Sequence, residues 1–61
     1  MSEFWKIEES LGRYYIVLEG IFETKAAAEA AIDRYPSNQG MRAVLYRTNT
    51  NFYGDAVRVA D

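Results

Sequence analysis

Residues 20–36 read GIFETKAAAEAAIDRYP, and this stretch decides the fold because it holds the one convincing helix of the chain. Thr24 is an N-cap candidate, since its hydroxyl can accept a hydrogen bond from a free backbone N–H of the first turn. Five alanines between Lys25 and Ile32 add helix propensity. Pro36 ends the helix, because it cannot donate a backbone hydrogen bond and it forces Tyr35 out of the helical region. Ala28, Ala31, Ile32 and Tyr35 recur at helical spacing and share one face. That face is mostly small, which predicts a helix lying directly on a flat sheet. Lys25, Glu29 and Asp33 form a polar stripe that reads as a solvated face. The alternative is an acidic docking edge, Glu23, Glu29 and Asp33, for a basic partner.

Working outward, both flanks alternate with the period of β-structure. Residues 3–9, EFWKIEE, predict a first strand with Trp5 and Ile7 on one side and Phe4, Lys6 and Glu8 on the other. Residues 10–12 read as a turn, and residues 13–19, RYYIVLE, as a second, antiparallel strand. Phe22 is placed to plug the junction of helix and sheet. Beyond the helix, residues 37–40 read as a loop. Residues 41–48, MRAVLYRT, predict a third strand and residues 55–60 a last one. The expected fold is α+β: a single small domain over residues 1–61, order β-β-α-β-β, an antiparallel sheet with one helix packed on one face.

One helix can cover only one side of such a sheet. The covered side is expected to hold Trp5, Ile7, Tyr14, Ile16, Leu18, Leu45, Val57 and Val59. The open side then carries Phe4, Tyr15, Val17, Val44 and Tyr46, with Lys6, Arg13, Arg42 and Arg58 among them. A solvated sheet face normally carries polar residues, and a contiguous apolar patch on a small domain marks an interaction site. The other arrangement open to the chain is that the Phe52–Tyr53 loop covers part of this face.

Composition excludes several chemistries. The chain has 61 residues, no cysteine and no histidine. Disulfides, thiolate nucleophiles and the commonest general base and metal ligand are therefore missing. A chain this short buries only about 60% of its unfolded surface, so association is the remaining way to gain stability. Net charge is −2. Residues 8–33 carry six acidic against two basic side chains, and residues 34–61 two acidic against four basic. No general basic footprint exists, which makes long nucleic acid an unlikely partner. No apolar run reaches membrane-spanning length and no signal peptide is legible. A cytoplasmic protein without membrane contact is expected.

No catalytic constellation appears. Glu8 and Glu9 are adjacent, so on a strand they point to opposite faces and do not form a carboxylate pair. The glycines are isolated and make no phosphate loop. No catalytic residue, metal site or cofactor is expected, and the chain reads as a non-enzyme. The loop 48–55, TNTNFYGD, offers side-chain amides, hydroxyls and two aromatic rings. It reads either as ordinary turn chemistry or as a ligand-contacting loop.

Residues 13–32 carry two short strands followed by Gly20-x-Phe22-x-Thr24-Lys25-x-x-x-Glu29-Ala30. This resembles the strand–strand–helix arm-type DNA-binding domain of phage-type tyrosine integrases, which often shows a G-x-F-x-T-K stretch and an EA-containing helix. The strands here bear Glu8, Glu9, Glu19 and Glu23 where that family is rich in Lys and Arg. The last two strands are additional and no recombinase domain is present, so no DNA-contacting role is carried over.

Two functions follow as expectations. The first is a small interaction module, a homo-oligomer that also binds another protein through Phe4, Tyr15, Val17, Val44 and Tyr46, blocking or bridging its partner. Small phage and mobile-element inhibitors are the analogy of size and character. The second is binding or sequestration of a small nucleotide or single-stranded nucleic acid through Arg13, Arg42, Arg58, Asn49, Asn51, Phe52 and Tyr53.

Overall fold

Alternating strands and one small-faced helix assemble as the patterning requires. A computed structural model describes residues 2–59. It contains strands β1 (Ser2–Ser10), β2 (Tyr15–Val17), β3 (Met41–Thr48) and β4 (Val57–Arg58), and helix α1 (Lys25–Ile32). A single 3-10 turn spans Tyr53–Asp55. The sheet is antiparallel with strand order β2-β1-β3-β4, and the fold class is α+β.

The central pair sets both faces. β1 and β3 run side by side from Ser2↔Thr48 to Glu9↔Met41. Trp5↔Leu45 and Ile7↔Ala43 point to the helix side, while Phe4↔Tyr46, Lys6↔Val44 and Glu8↔Arg42 point to the other. α1 rests on β1 and β3. Ala28 is fully buried there, and Ile7 beneath is 1% exposed. An alanine at the contact lets the helix backbone approach the sheet closely.

The helix entry is built by Leu18, Gly20, Phe22 and Thr24. Leu18 N–H donates to the Ile7 carbonyl at 2.9 Å, continuing the β1–β2 ladder. The chain then loops out and returns at Phe22, whose backbone exchanges both hydrogen bonds with Trp5 at 2.7 and 2.9 Å. Gly20 turns this corner at φ +116°, a conformation other residues rarely adopt. Thr24 then caps α1, its hydroxyl accepting from Ala27 N–H at 3.1 Å.

Several expectations need correction. α1 stops at Ile32, before Pro36, because Arg34 and Tyr35 N–H groups turn back to the carbonyls of Ala31 and Ile32 and tighten the last turn. Tyr35 therefore lies outside the helix and is exposed. β2 is three residues long because the hairpin turns at Gly12–Arg13, where Leu11 N–H meets the Tyr14 carbonyl and Gly12 takes φ +92°. β4 is only two residues long, since the 3-10 turn consumes Asp55. Ala60 lies outside the described residues. An eight-residue helix reaches only the central strands, so Tyr14, Ile16 and Val57, on β2 and β4 or beside them, are exposed rather than covered.

The second face is also different from expectation. Phe4, Val44 and Tyr46 are 4%, 4% and 9% exposed and form a core cluster of their own, with Ala56 packed against it. They do not present an open aromatic surface. The segment 49–56 folds over them: the Tyr53 ring meets Phe4 edge-on at 4.9 Å, and Phe4 stacks with Tyr46 at 6.1 Å. Buried Thr48 pins the segment, accepting from Thr50 N–H at 3.2 Å and donating to the Phe52 carbonyl at 3.3 Å. The Thr50 hydroxyl accepts from Phe52 N–H at 3.0 Å.

The sheet also curls toward this face. In a flat sheet β2 and β4 would lie about 14 Å apart, three strand spacings. Here the Arg58 guanidinium of β4 sits 4.9 Å from the ring centre of Tyr15 on β2. The two edge strands thus meet side chain to side chain across the concave face.

Candidate functional site

Polar chemistry concentrates at the end of the concave face away from the Phe4 cluster. Strand alternation places Glu8 on this face, with Val17 of β2 on one side and Arg42 of β3 on the other. Curling and cross-strand packing bury it to 1% exposure. A carboxylate removed from water is costly unless it is paired and hydrogen-bonded. Three groups converge on it. The Tyr46 hydroxyl donates to Oε2 at 2.7 Å, and Arg58 and Arg42 place guanidinium nitrogens 3.1 and 3.8 Å from Oε1. Arg58 is close enough to form an ion pair with Oε1, but no donor among the described residues is aligned for a hydrogen bond to that atom. Burial chiefly, and then the hydrogen bond to Glu8, raise the Tyr46 phenol well above its ordinary pKa. It stays protonated as a donor.

Above Glu8 lies a concavity of about 450 Å³. Its walls hold Arg13, Arg42 and Arg58, with Tyr14 and Tyr15 beside them. Three arginines lining a concavity that holds one carboxylate, which Arg42 and Arg58 flank, make an electropositive site on a protein of net charge −2. Arg13 reaches it from the hairpin turn, Arg42 from β3 and Arg58 from the far edge strand. The volume lies in the range of small-molecule pockets.

The structure thus brings together Arg13, Arg42 and Arg58 from the sequence-derived ligand set. It does not bring Asn49, Asn51, Phe52 or Tyr53 to them. That segment folds over the opposite end of the face, against Phe4, and leaves the Phe52 ring exposed. Of the five proposed interface residues, Phe4, Val44 and Tyr46 are internal, and Tyr15 and Val17 remain on the surface. Glu29 and Asp33 of the acidic edge border a second groove, between α1 and β3, together with Lys25, Met41 and Arg42. Its charges are mixed, and Glu23 is not among its lining residues.

Sequence reasoning missed Glu8. The available signal was a glutamate inside an alternating strand, on the same face as Phe4 and opposite an arginine of the paired strand. Among the described residues no group of three or more acidic, histidine or cysteine side chains is gathered to hold a metal ion. No helix of the described residues is long and apolar enough to cross a membrane. No protein-family model, no curated protein and no solved structure matches the chain. The reading of this site therefore rests on its own geometry.

Proposed function

We propose that the chain binds a small anionic ligand of nucleotide size in the concavity above Glu8, by sequestration rather than by catalysis. The observation that carries this reading is a concavity lined by three arginines and two tyrosines over one buried carboxylate. A phosphate or carboxylate group would meet Arg13 and Arg42 at the rim, where charge-assisted hydrogen bonds are strong. Glu8, buried beneath, is the counter-charge that holds Arg58 and Arg42 at the floor of the pocket. Tyr14 and Tyr15 supply flat apolar surface for a ring. A bare phosphate lacks the ring, and a nucleoside lacks the charge, so a nucleotide satisfies both features.

The test is calorimetric titration with adenosine and guanosine monophosphates, inorganic phosphate, the parent nucleosides and a short single-stranded oligonucleotide. The monophosphates are expected to bind best, and rising salt to weaken them. Arg42 is largely exposed and its removal spares the fold; Arg42→Ala is expected to lose about tenfold or more in affinity. Absence of binding across the panel, or full affinity in Arg42→Ala, overturns the reading.

A further inference from the structure

We infer that β2 is a self-pairing edge: two copies of this chain join β2 to β2 in antiparallel register about Ile16. This does not depend on the ligand reading.

The strand is unusual for an edge. Tyr15, Ile16 and Val17 are 47%, 40% and 42% exposed, so apolar side chains face solvent on both sides of the sheet. Natural edge strands are normally protected by charge, proline or a covering segment. β2 has neither charge nor proline within it, and among the described residues its only sheet neighbour is β1.

The ladder fixes which backbone groups are free. Leu18 N–H donates to the Ile7 carbonyl, and the Tyr14 carbonyl accepts from Leu11 N–H. Residues 14, 16 and 18 therefore turn their backbones toward β1, and Tyr15 and Val17 turn theirs outward. An antiparallel partner centred on Ile16 sets Tyr15 opposite Val17 of the second copy, and Val17 opposite its Tyr15. Each such pair exchanges both hydrogen bonds, so all four outward groups of each strand are satisfied. It also creates two aromatic–β-branched cross-strand pairs, a favourable combination.

Charge selects the occupant and the direction. Arg13 stands at one end of the β2 stretch and Glu19 at the other. In this register the turn that carries Arg13 of each copy lies beside the bend that carries Glu19 of its partner, just beyond the ends of the paired strands, which brings two opposite-charge pairs together. A parallel arrangement would set like ends together. Shifting the antiparallel register by two residues sets Arg13 opposite Val17 or Tyr15 opposite Glu19, and in either case the charge pairing is lost. The strand is complementary to itself in one register, which makes a second copy the partner.

The experiment is mass measurement by light scattering over a dilution series without ligand, on wild type, Arg13→Glu, Glu19→Arg and the double reversal. Wild type is expected to move from the 7.0 kDa chain to twice that mass as concentration rises. Each single reversal makes two like-charge pairs and is expected to weaken the dimer roughly tenfold. The double reversal rebuilds both pairs and is expected to restore it. Amide exchange on wild type gives a readout that needs no variant: Tyr15 and Val17 should be slow in the dimer and fast on dilution. A monomer at all concentrations, single reversals that leave the dimer intact, or a double reversal that fails to rescue each overturns the inference. Ligand titration of the monomer at high dilution separates this outcome from failure of the pocket reading.

Discussion

The two faces of this sheet are held by different physics. On the helix side, Ala28, Ile7, Trp5 and Leu45 are brought together by period and size, and among the described residues no titratable group is buried there. On the concave side, apolar packing holds one end, and the other end depends on a carboxylate balanced by a tyrosine and two arginines from different strands. The first face tolerates sequence change that preserves volume. The second is less tolerant, because removing Tyr46 or Arg58, the partners nearest Glu8, leaves a buried charge short of compensation. The difference indicates where this chain has committed its stability to a polar arrangement that an apolar core would not need.

The comparison breaks most sharply at Arg58. Arg58→Met keeps the apolar stem but leaves Glu8 buried with the Tyr46 hydrogen bond and only Arg42, at longer range, as a cation. The expected loss is about 3–5 kcal/mol. A domain of this size rarely has more than that to lose. Urea melts followed by circular dichroism should find the variant largely unfolded, and Glu8→Gln in the same chain should recover most of the loss. A stable single variant would show that the carboxylate is not dependent on its cation.

Tyr46→Phe probes the same network with shape preserved. It deletes a hydrogen bond to a charged group, with an expected cost of about 1.5–3 kcal/mol. The sign of the pH effect follows from the raised phenol pKa. A group whose folded pKa lies above its unfolded one contributes fully below the unfolded value, here about 10. That contribution is lost as pH climbs beyond it. Wild type should therefore lose stability in strong alkali together with a late rise in tyrosinate absorbance, and Tyr46→Phe should lack that phase. Unchanged alkaline behaviour would detach Tyr46 from the fold's pH dependence.

The helix face sharpens the contrast at smaller cost. Ala28→Leu overfills the contact with the sheet and should cost about 1–3 kcal/mol. Ala30→Leu, on the exposed side of the same helix, should cost close to nothing. Equal effects would mean that the helix does not rest on its small face.

What was legible in the sequence follows the same division. The helix, its Thr24 cap, four strands and the sidedness of Trp5, Ile7, Phe4 and Tyr46 all come from local period and end chemistry. The fate of the Phe4 face was not legible, because it depends on how far a segment after β3 folds back and on the curl of the sheet. Thr48 looked like a turn residue and proves to be the pin of that segment. Glu8 looked only like one of two adjacent glutamates pointing to opposite faces of a strand. Its burial becomes evident only when Arg58, fifty residues away in the chain, arrives beside it. The arginines themselves were recognisable as a set, but not their gathering around a carboxylate.

The loop between Leu18 and Phe22 separates length from direction. Leu18 faces Ile7, so an uninterrupted ladder would bring residue 20 opposite Trp5. Phe22 takes that place instead, after a detour of two extra residues. Directly paired residues of an antiparallel ladder share a face, so Phe22 emerges on the same side of the sheet as Trp5 and hands the chain to the helix above it. The pairing with Trp5 sets that face, and the number of residues looped out does not. The corner can therefore change in length without moving the helix, provided that the Trp5–Phe22 pair re-forms.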